Sequence, residues 1–514
     1  VPHVLDASLI SDLRTDLAAA GFTVPALDAL WGADAAAALH RGHRVPALRA
    51  LTFRNPLATL ARLFVLGLPV AAADLAEALP RTGVAGAVAA ELVSVVGESV
   101  EPLIDLRPYA FVDGSGAGSW IIASDLGELA LGHAIPESHV LGVGGASLTL
   151  AGLAVREPVR RVLDLGTGCG IQALHAARHA ETVIATDISS RALSLARLNA
   201  DLAGLDTIEF RKGSLFEPVA GERFDRIVSN PPFVITPRGE GVPAYEYRDG
   251  GLVGDAIVRA VITGVEDHLE PGGIAQLLGN WEYSAGEDGE GAGDGGRGDG
   301  LDRVAAWIAE TGLDAWVVER EIQDVALYAE TWIRDGGTRA GTREFDAMSA
   351  AWLDDFAERG VTAVGFGYIT LRRPLDAHSP RLRRYERVAS SGSSALGEHV
   401  AATLRTWDAV ASLTDDELGR RHLTVAADVT EERHYWPGDE HPAVISLSQG
   451  TGFARTVEAG TALAAVVGAC DGELALRDIC DAVATLLDAD ADALAAEIVP
   501  TMRELVLTGF LTLD

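Results

Sequence analysis

From Arg161 onward short apolar runs alternate with helix-period stretches, and few architectures accommodate that rhythm. Val162 to Leu165 reads as a buried strand, Ile171 to Ala180 as a helix and Thr182 to Thr186 as a strand. A helix follows over Arg191 to Ala203, with Ser189 and Ser190 as candidate caps. Ile208 to Phe210 and Phe224 to Ser229 read as strands. Asp255 to Leu269 reads as a helix closed by Pro271, Gly272 and Gly273, and Ile274 to Leu278 as the next strand. Two later strands, Val317 to Ile322 and Gly365 to Leu371, flank a helical insertion that includes Phe345 to Phe356. Strands and helices in this order imply an α/β fold with a parallel, doubly wound sheet.

The flanks have other textures. Residues 1–102 read as a helical N-terminal domain, with Leu13 and Leu17, then Leu57, Leu60, Phe64 and Leu68, at helical spacing. The sheet domain spans 103–373 and opens on a hairpin, Tyr109 to Val112 and Trp120 to Ile122 around a Gly-rich turn. Within it, residues 284–300 are almost all Gly, Ala, Asp and Glu, so they read as a disordered acidic surface loop. Residues 374–514 read as a small α+β C-terminal domain with winged-helix-like order. An arginine cluster (Arg372, Arg373, Arg381, Arg383, Arg384, Arg387) marks the boundary. It is either a nucleic-acid patch or a solvated linker.

The 514 residues are enough for about three domains. With 41 Lys+Arg against 74 Asp+Glu the net charge is −33, a poor background for indiscriminate phosphate binding. Three cysteines cannot build a disulfide framework, lack metal-ligand spacing and suit a reducing cytoplasm; no metal is expected. No apolar run reaches the roughly 18 residues of a membrane span, and the first residues lack the pattern of a signal peptide.

The segment VLDLGTGCGI, Val162 to Ile171, ends a strand at Asp164 and enters a helix through Gly166, Gly168 and Gly170. Glycine allows a sharp turn and close backbone approach to a ligand. Asp187, ending the next strand, offers a carboxylate to a pair of ribose hydroxyls. LDLGTGCG, ATDIS and FDRIVSNPPF, in this order and spacing, resemble the class I S-adenosylmethionine-dependent methyltransferases. They are most similar to the small-methyltransferase-domain type, which includes rRNA guanine-N2 and release-factor glutamine methyltransferases. The resemblance spans roughly residues 105–373 and is concentrated in 160–235. It implies a Rossmann-like seven-stranded sheet and S-adenosylmethionine as cofactor. It places Gly166, Thr167, Gly168 and Gly170 at the methionine end, with Asp164 holding that loop or the amino group. It puts Asp187 on the ribose, Ile188 on the adenine, and Ser214 and Leu215 at the adenine edge, where the family often has Asp at the position of Ser214.

Asn230, Pro231, Pro232 and Phe233 follow the strand ending at Ser229, at the carboxyl edge where open sheets bind ligands. A nitrogen conjugated to a planar group is a weak nucleophile. The Asn230 side-chain carbonyl and the Pro231 backbone carbonyl can hold its N–H groups and aim its lone pair, with Asn230 also bordering the cofactor. Proline stiffens the segment and removes a competing donor, and Phe233 offers a stacking face. Tyr245, Tyr247 and Arg248 are expected in a loop over the substrate. The expected activity is methyl transfer to a planar amino or amide nitrogen. A base nitrogen in RNA or DNA is placed first and a protein glutamine second. A small-molecule amine and a non-catalytic cofactor-binding scaffold remain as alternatives. The glutamine enzymes typically carry Tyr where this chain has Phe233. A macromolecular partner and no membrane are expected; the oligomeric state is left open.

Overall fold

The computed structural model describes residues 6–114, 116–131, 136, 138–237, 252–284, 298–376, 381–388 and 396–513. The chain divides into two compact units. The first comprises Val1–Ala151, Pro158–Gly312 and Ile322–Arg373, the second Gly152–Glu157, Leu313–Glu321 and Pro374–Asp514.

The first unit carries a hairpin, β1 (Asp105–Asp113) and β2 (Gly116–Ser124), then α1 (Gly145–Leu153), whose last two residues fall in the second unit. Strands β3 (Val159–Leu165), β4 (Ala180–Asp187), β5 (Ile208–Lys212) and β6 (Phe224–Ser229) alternate with α2 (Ile171–Ala176) and α3 (Ser190–Ala203). Then, along the chain, come α4 (Ala256–His268), β7 (Leu269–Ser284), α5 (Gly300–Ala309), β8 (Asp314–Asp324), α6 (Val325–Asp335), α7 (Arg343–Glu358), β9 (Val361–Arg372) and β10 (Arg383–Arg387), of which β8 as far as Glu321 and all of β10 belong to the second unit. Within the first unit the order is β5-β4-β3-β6-β7-β9, parallel except for β9, which runs antiparallel to β7. The sheet is therefore mixed, because β9 returns after the helical pair α6–α7. The reversal of direction on either side of β3 leaves a crevice beyond the carboxyl ends of β3 and β6.

Several boundaries move from their sequence positions. Pro271 to Gly273 does not separate helix from strand: β7 begins at Leu269, directly after α4, and the two glycines sit at a register shift between Leu269 and Ile274. Ser284 is the last residue of β7 and Gly300 the first of α5, so both ends of the expected acidic loop belong to regular elements. Residues 285–297 lie outside the described residues, as do Tyr245, Tyr247 and Arg248.

The N-terminal segment is not purely helical. Val70–Ala71, Ser99–Pro102 and Val93–Val96 form a small antiparallel sheet. The helical spacing is nevertheless informative, since Leu13, Leu17, Leu60 and Phe64 are all buried. They join one apolar core with Leu106 and Ile122 of the hairpin and Leu174 and Leu195 of the sheet's helices. Local texture cannot reveal strands of two to four residues, because so short a strand shows no period.

In the second unit β8 and β10 pair in parallel. His422–Val425 lies between Asp471–Ala475 and Leu511–Leu513, and Val444–Gln449 between Val429–His434 and Thr456–Glu458. Helices Leu396–Val410, Leu476–Leu487 and Ala491–Leu507 accompany them. Much of the arginine cluster is engaged within the chain, although Arg383 and Arg387 stay exposed. Arg387 pairs with Glu319 at 2.7 Å, and Arg384 with Glu386 at 3.2 Å and Glu504 at 3.0 Å. Arg383 donates to the Leu313 carbonyl and Arg373 to that of Leu269, while Arg372 is buried. Among the described residues no helix is long and apolar enough to cross a membrane, and no group of His, Cys, Asp and Glu is arranged to hold a metal.

Candidate functional site

A cavity of about 630 Å³ opens at the carboxyl ends of β3, β4 and β6. Its walls include Asp164, Gly166, Thr167, Gly168, Asp187, Ile188, Ser214, Leu215 and the run Asn230 to Phe233. Residues from four separated stretches meet there because successive parallel strands end at the same edge.

The glycine loop is held from below. Asp164 is buried, and its Oδ2 accepts from the Thr167 hydroxyl at 2.5 Å and the Ala173 N–H at 2.9 Å. Its Oδ1 is buried without a hydrogen-bond partner among the described residues. Burial pushes the Asp164 carboxyl up to about 7; the hydrogen bonds from Thr167 and Ala173 oppose that rise, and the charge of Asp187 adds to it. The backbone N–H groups of Gly166 and Thr167 donate to the Thr186 carbonyl. Asp187 accepts from the Gly168 N–H at 2.9 Å through Oδ2 and from the Ser189 N–H at 2.8 Å through Oδ1. One carboxylate thus ties the loop after β3 to the turn after β4.

Gly166 (φ 75°) and Gly168 (φ 54°) adopt left-handed backbone, and a Cβ at either would meet nothing within 4 Å. The constraint there is conformational, and the space belongs to the cavity. Gly170 differs. It does not line the cavity; at φ 87° a Cβ would stand 2.9 Å from the Ala196 Cβ, so it serves the close packing of α2 on α3. Gly170→Ala is expected to lower stability by about 1–3 kcal/mol, read as a drop in Tm, with little effect on ligand affinity.

Asn230 is among the residues that line the cavity, and its side-chain Oδ1 is buried with no hydrogen-bond partner among the described residues. An amide oxygen left in that condition costs free energy unless a ligand supplies the donor. The segment is anchored on both sides: the Ser229 hydroxyl donates to the Leu165 carbonyl at 2.8 Å, and the Ile235 N–H donates to the Tyr328 hydroxyl at 3.0 Å. Leu215 carries a positive φ of 45°, a strained conformation for a leucine, at the cavity wall. Trp281 is fully buried inside β7, in keeping with its place in a strand.

Asn199 is a contributor that the sequence does not single out. Asn199, wholly buried on α3, accepts from the Ala123 N–H at 2.6 Å and donates to the carbonyls of Ala123 (2.9 Å) and Cys169 (2.8 Å). It binds the hairpin to the glycine loop. The one signal is an amide on the apolar face of α3. His139 to Ser147 forms another wall. It is positioned by the Val140 N–H donating to Asp125 (2.9 Å), by Arg191 pairing with Asp125 (2.7 Å) and by Gln172 donating to the Ser147 carbonyl (2.7 Å). Burial lowers the pKa of His139, so the ring favours its neutral form. Trp332 and Asp335 reach the cavity from α6, and Trp332 meets Phe233 edge to face at 6.3 Å.

Residues 144–285 match the methyltransferase small domain family. Residues 19–103 and 404–513 match two families described only as domains of unknown function. The chain is 42% identical over 135 residues to a release factor glutamine methyltransferase of Xylella fastidiosa, covering 24% of this chain and 49% of that protein. It is 38% identical over 149 residues to a ribosomal protein uL3 glutamine methyltransferase of Bradyrhizobium diazoefficiens, covering 27% and 45%. It is 35% identical over 120 residues to a putative protein N5-glutamine methyltransferase of Methanocaldococcus jannaschii, covering 23% and 60%. The chain therefore spans about half the length of the curated relatives it matches.

Proposed function

We propose, from the premise that residues 144–285 are a class I small methyltransferase domain of the S-adenosylmethionine-dependent type, that this protein methylates the side-chain amide nitrogen of glutamine in a protein partner. The structure does not carry the expected seven-stranded sheet, since six strands fall in the first unit alone and β8 and β10 add to them; the three-domain division at 102 and 373, the winged-helix-like reading of the C-terminal domain and a cytoplasmic location belong to the same proposal. The observation that carries it is the buried Asn230 amide oxygen, unpartnered among the described residues, at the cavity wall.

The cavity suits S-adenosylmethionine. The buried, unpartnered Asp164 Oδ1 matches an ammonium group, and the space over Gly166 and Gly168 matches a chain laid close to the backbone. Asp187 would take the ribose, and Ile188, Ser214 and Leu215 the adenine. When bound, the cofactor supplies an electrophilic methyl group on sulfur. The residues of this chain then do the rest by position. Asn230 Oδ1 and the Pro231 carbonyl accept the two N–H groups of the acceptor and direct its lone pair toward the cofactor. Pro231 and Pro232 keep that cradle stiff, and Phe233 covers one face of the acceptor. Orientation of this kind is worth up to about 7–11 kcal/mol of barrier.

The Asp164 carboxyl makes this testable by pH. Its native pKa, about 7, lies above the ordinary aspartate value of 3.8, so between those values the native state keeps a proton that the unfolded chain has released. Stability therefore falls as pH rises across that window. An ammonium ligand reverses the preference, since it favours the carboxylate. Cofactor affinity is expected to rise with pH and level off above about 7, and Asp164→Asn to flatten both trends, as read by urea unfolding and calorimetry.

Glutamine is favoured over a base by three observations: the names of the relatives, the net charge of −33, and the engagement of the boundary arginines by internal carboxylates and carbonyls. Phe233 in place of the tyrosine typical of glutamine enzymes favours a second reading, a base nitrogen. Incubating the protein with methyl-labelled cofactor and cell extract separates them. Label that resists ribonuclease and is released by protease supports glutamine. Label lost to ribonuclease supports the base, label in the small-molecule fraction a metabolite, and no transfer a binding scaffold.

A further inference from the structure

The helical pair α6–α7 follows β8 in the chain and precedes β9, and the cofactor and the Asn230 cradle leave its role open. On α6, Tyr328, Trp332 and Asp335 stand at i, i+4 and i+7, one face of the helix. The Tyr328 hydroxyl, fully buried, receives the Ile235 N–H at 3.0 Å and the Asn280 side-chain N–H at 3.0 Å. It fixes the backbone five residues beyond Asn230. One turn further on, Trp332 lines the cavity and meets Phe233 with the ring planes at 73°. The helix is rigidly seated: Asp324 caps it through the Ala326 and Leu327 N–H groups at 2.9 Å, and Ile333 packs with Met348, Trp352 and Phe356 of α7 in a buried core.

We propose that Trp332 is a specificity residue of the acceptor site, and that the Phe233–Trp332 corner selects a side-chain carboxamide over a nucleic-acid base; the inference rests on glutamine methylation as proposed for this site. Only a base sandwiched on both of its faces needs two nearly parallel rings. Two rings at 73° offer one face and one edge. Such a corner receives a small planar group on a narrow alkyl stem: the amide lies flat on one ring and the methylene groups fill the angle. The N–H groups then remain directed to Asn230.

The test uses the full chain, loaded with S-adenosylhomocysteine and carrying ring-fluorinated tryptophan. Trp332→Phe identifies one of the nine tryptophan resonances. The probes are a capped tripeptide with a central glutamine and, in parallel, guanosine. The tripeptide is expected to shift the Trp332 resonance and guanosine to leave it in place. Trp332→Ala is expected to raise the KM for the tripeptide about tenfold or more, with kcat changed less and the cofactor Kd within about twofold. Trp332→Phe should restore most of the KM. If the tripeptide is methylated while the Trp332 resonance stays unmoved, or KM is unchanged in Trp332→Ala, the specificity role is overturned and glutamine methylation stands. A Trp332 shift with guanosine but not with the tripeptide overturns the carboxamide choice. Label transfer to RNA in the extract experiment overturns both readings together.

Discussion

Replacing Asn230 by alanine is expected to reduce methyl transfer by at least about 100-fold, the scale on which loss of one preorganised hydrogen-bonding group at a reacting centre is felt. Cofactor affinity should stay within about twofold, because the acceptor N–H groups, and not the cofactor, are its proposed partners. Stability should move the other way from activity. The Asn230 oxygen is buried and unpartnered among the described residues, so its removal relieves a desolvation cost and should leave Tm unchanged or slightly raised. A structural role predicts the opposite signature, with Tm falling and activity following only as the protein unfolds. Measuring turnover, calorimetric affinity and Tm on one preparation separates the two.

Asp187→Ala is expected to weaken cofactor binding by about 10- to 100-fold. Hydrogen bonds to a charged acceptor contribute roughly 1.5–3 kcal/mol, and each 1.4 kcal/mol is a factor of ten in Kd. The same carboxylate also holds the Gly168 and Ser189 N–H groups, so the loop itself loosens. Asp187→Asn retains one oxygen acceptor and should fall between wild type and alanine. At saturating cofactor both variants should recover most of kcat, since neither changes the Asn230 cradle. An alanine variant with wild-type Kd would remove Asp187 from the cofactor site.

The parts of the site that are legible in the sequence are those made by contiguous residues at the ends of apolar strands. Gly166, Gly168 and Asp187 announce themselves because a strand stops, a turn must form, and no apolar residue will serve. Asn230 to Phe233 is legible for the same reason. Gly170 fits the same pattern, yet it packs helices together and does not line the cavity. Its conflict is with Ala196, a residue on another helix, and packing of that kind leaves no local trace. Asn199, Tyr328 and Trp332 are hidden for a related reason. Asn199 and Tyr328 lie far along the chain from the groups they hold: Asn199 is 76 residues from Ala123 and Tyr328 is 93 from Ile235. Trp332 likewise meets Phe233 only through the fold. The arginine cluster teaches the converse. Its charge is plain, but its partners Glu319 and Glu504 lie at distant positions, so sequence cannot tell a free basic field from a set of satisfied ion pairs.

The most direct measurement is mass analysis of protein from cell extract after incubation with methyl-labelled cofactor and either the wild-type chain or Asn230→Ala. The account predicts a single methyl group on the side-chain nitrogen of glutamine in a defined protein with the wild type, and its near absence with the variant. Equal labelling by the two, or label carried by RNA bases, would contradict it.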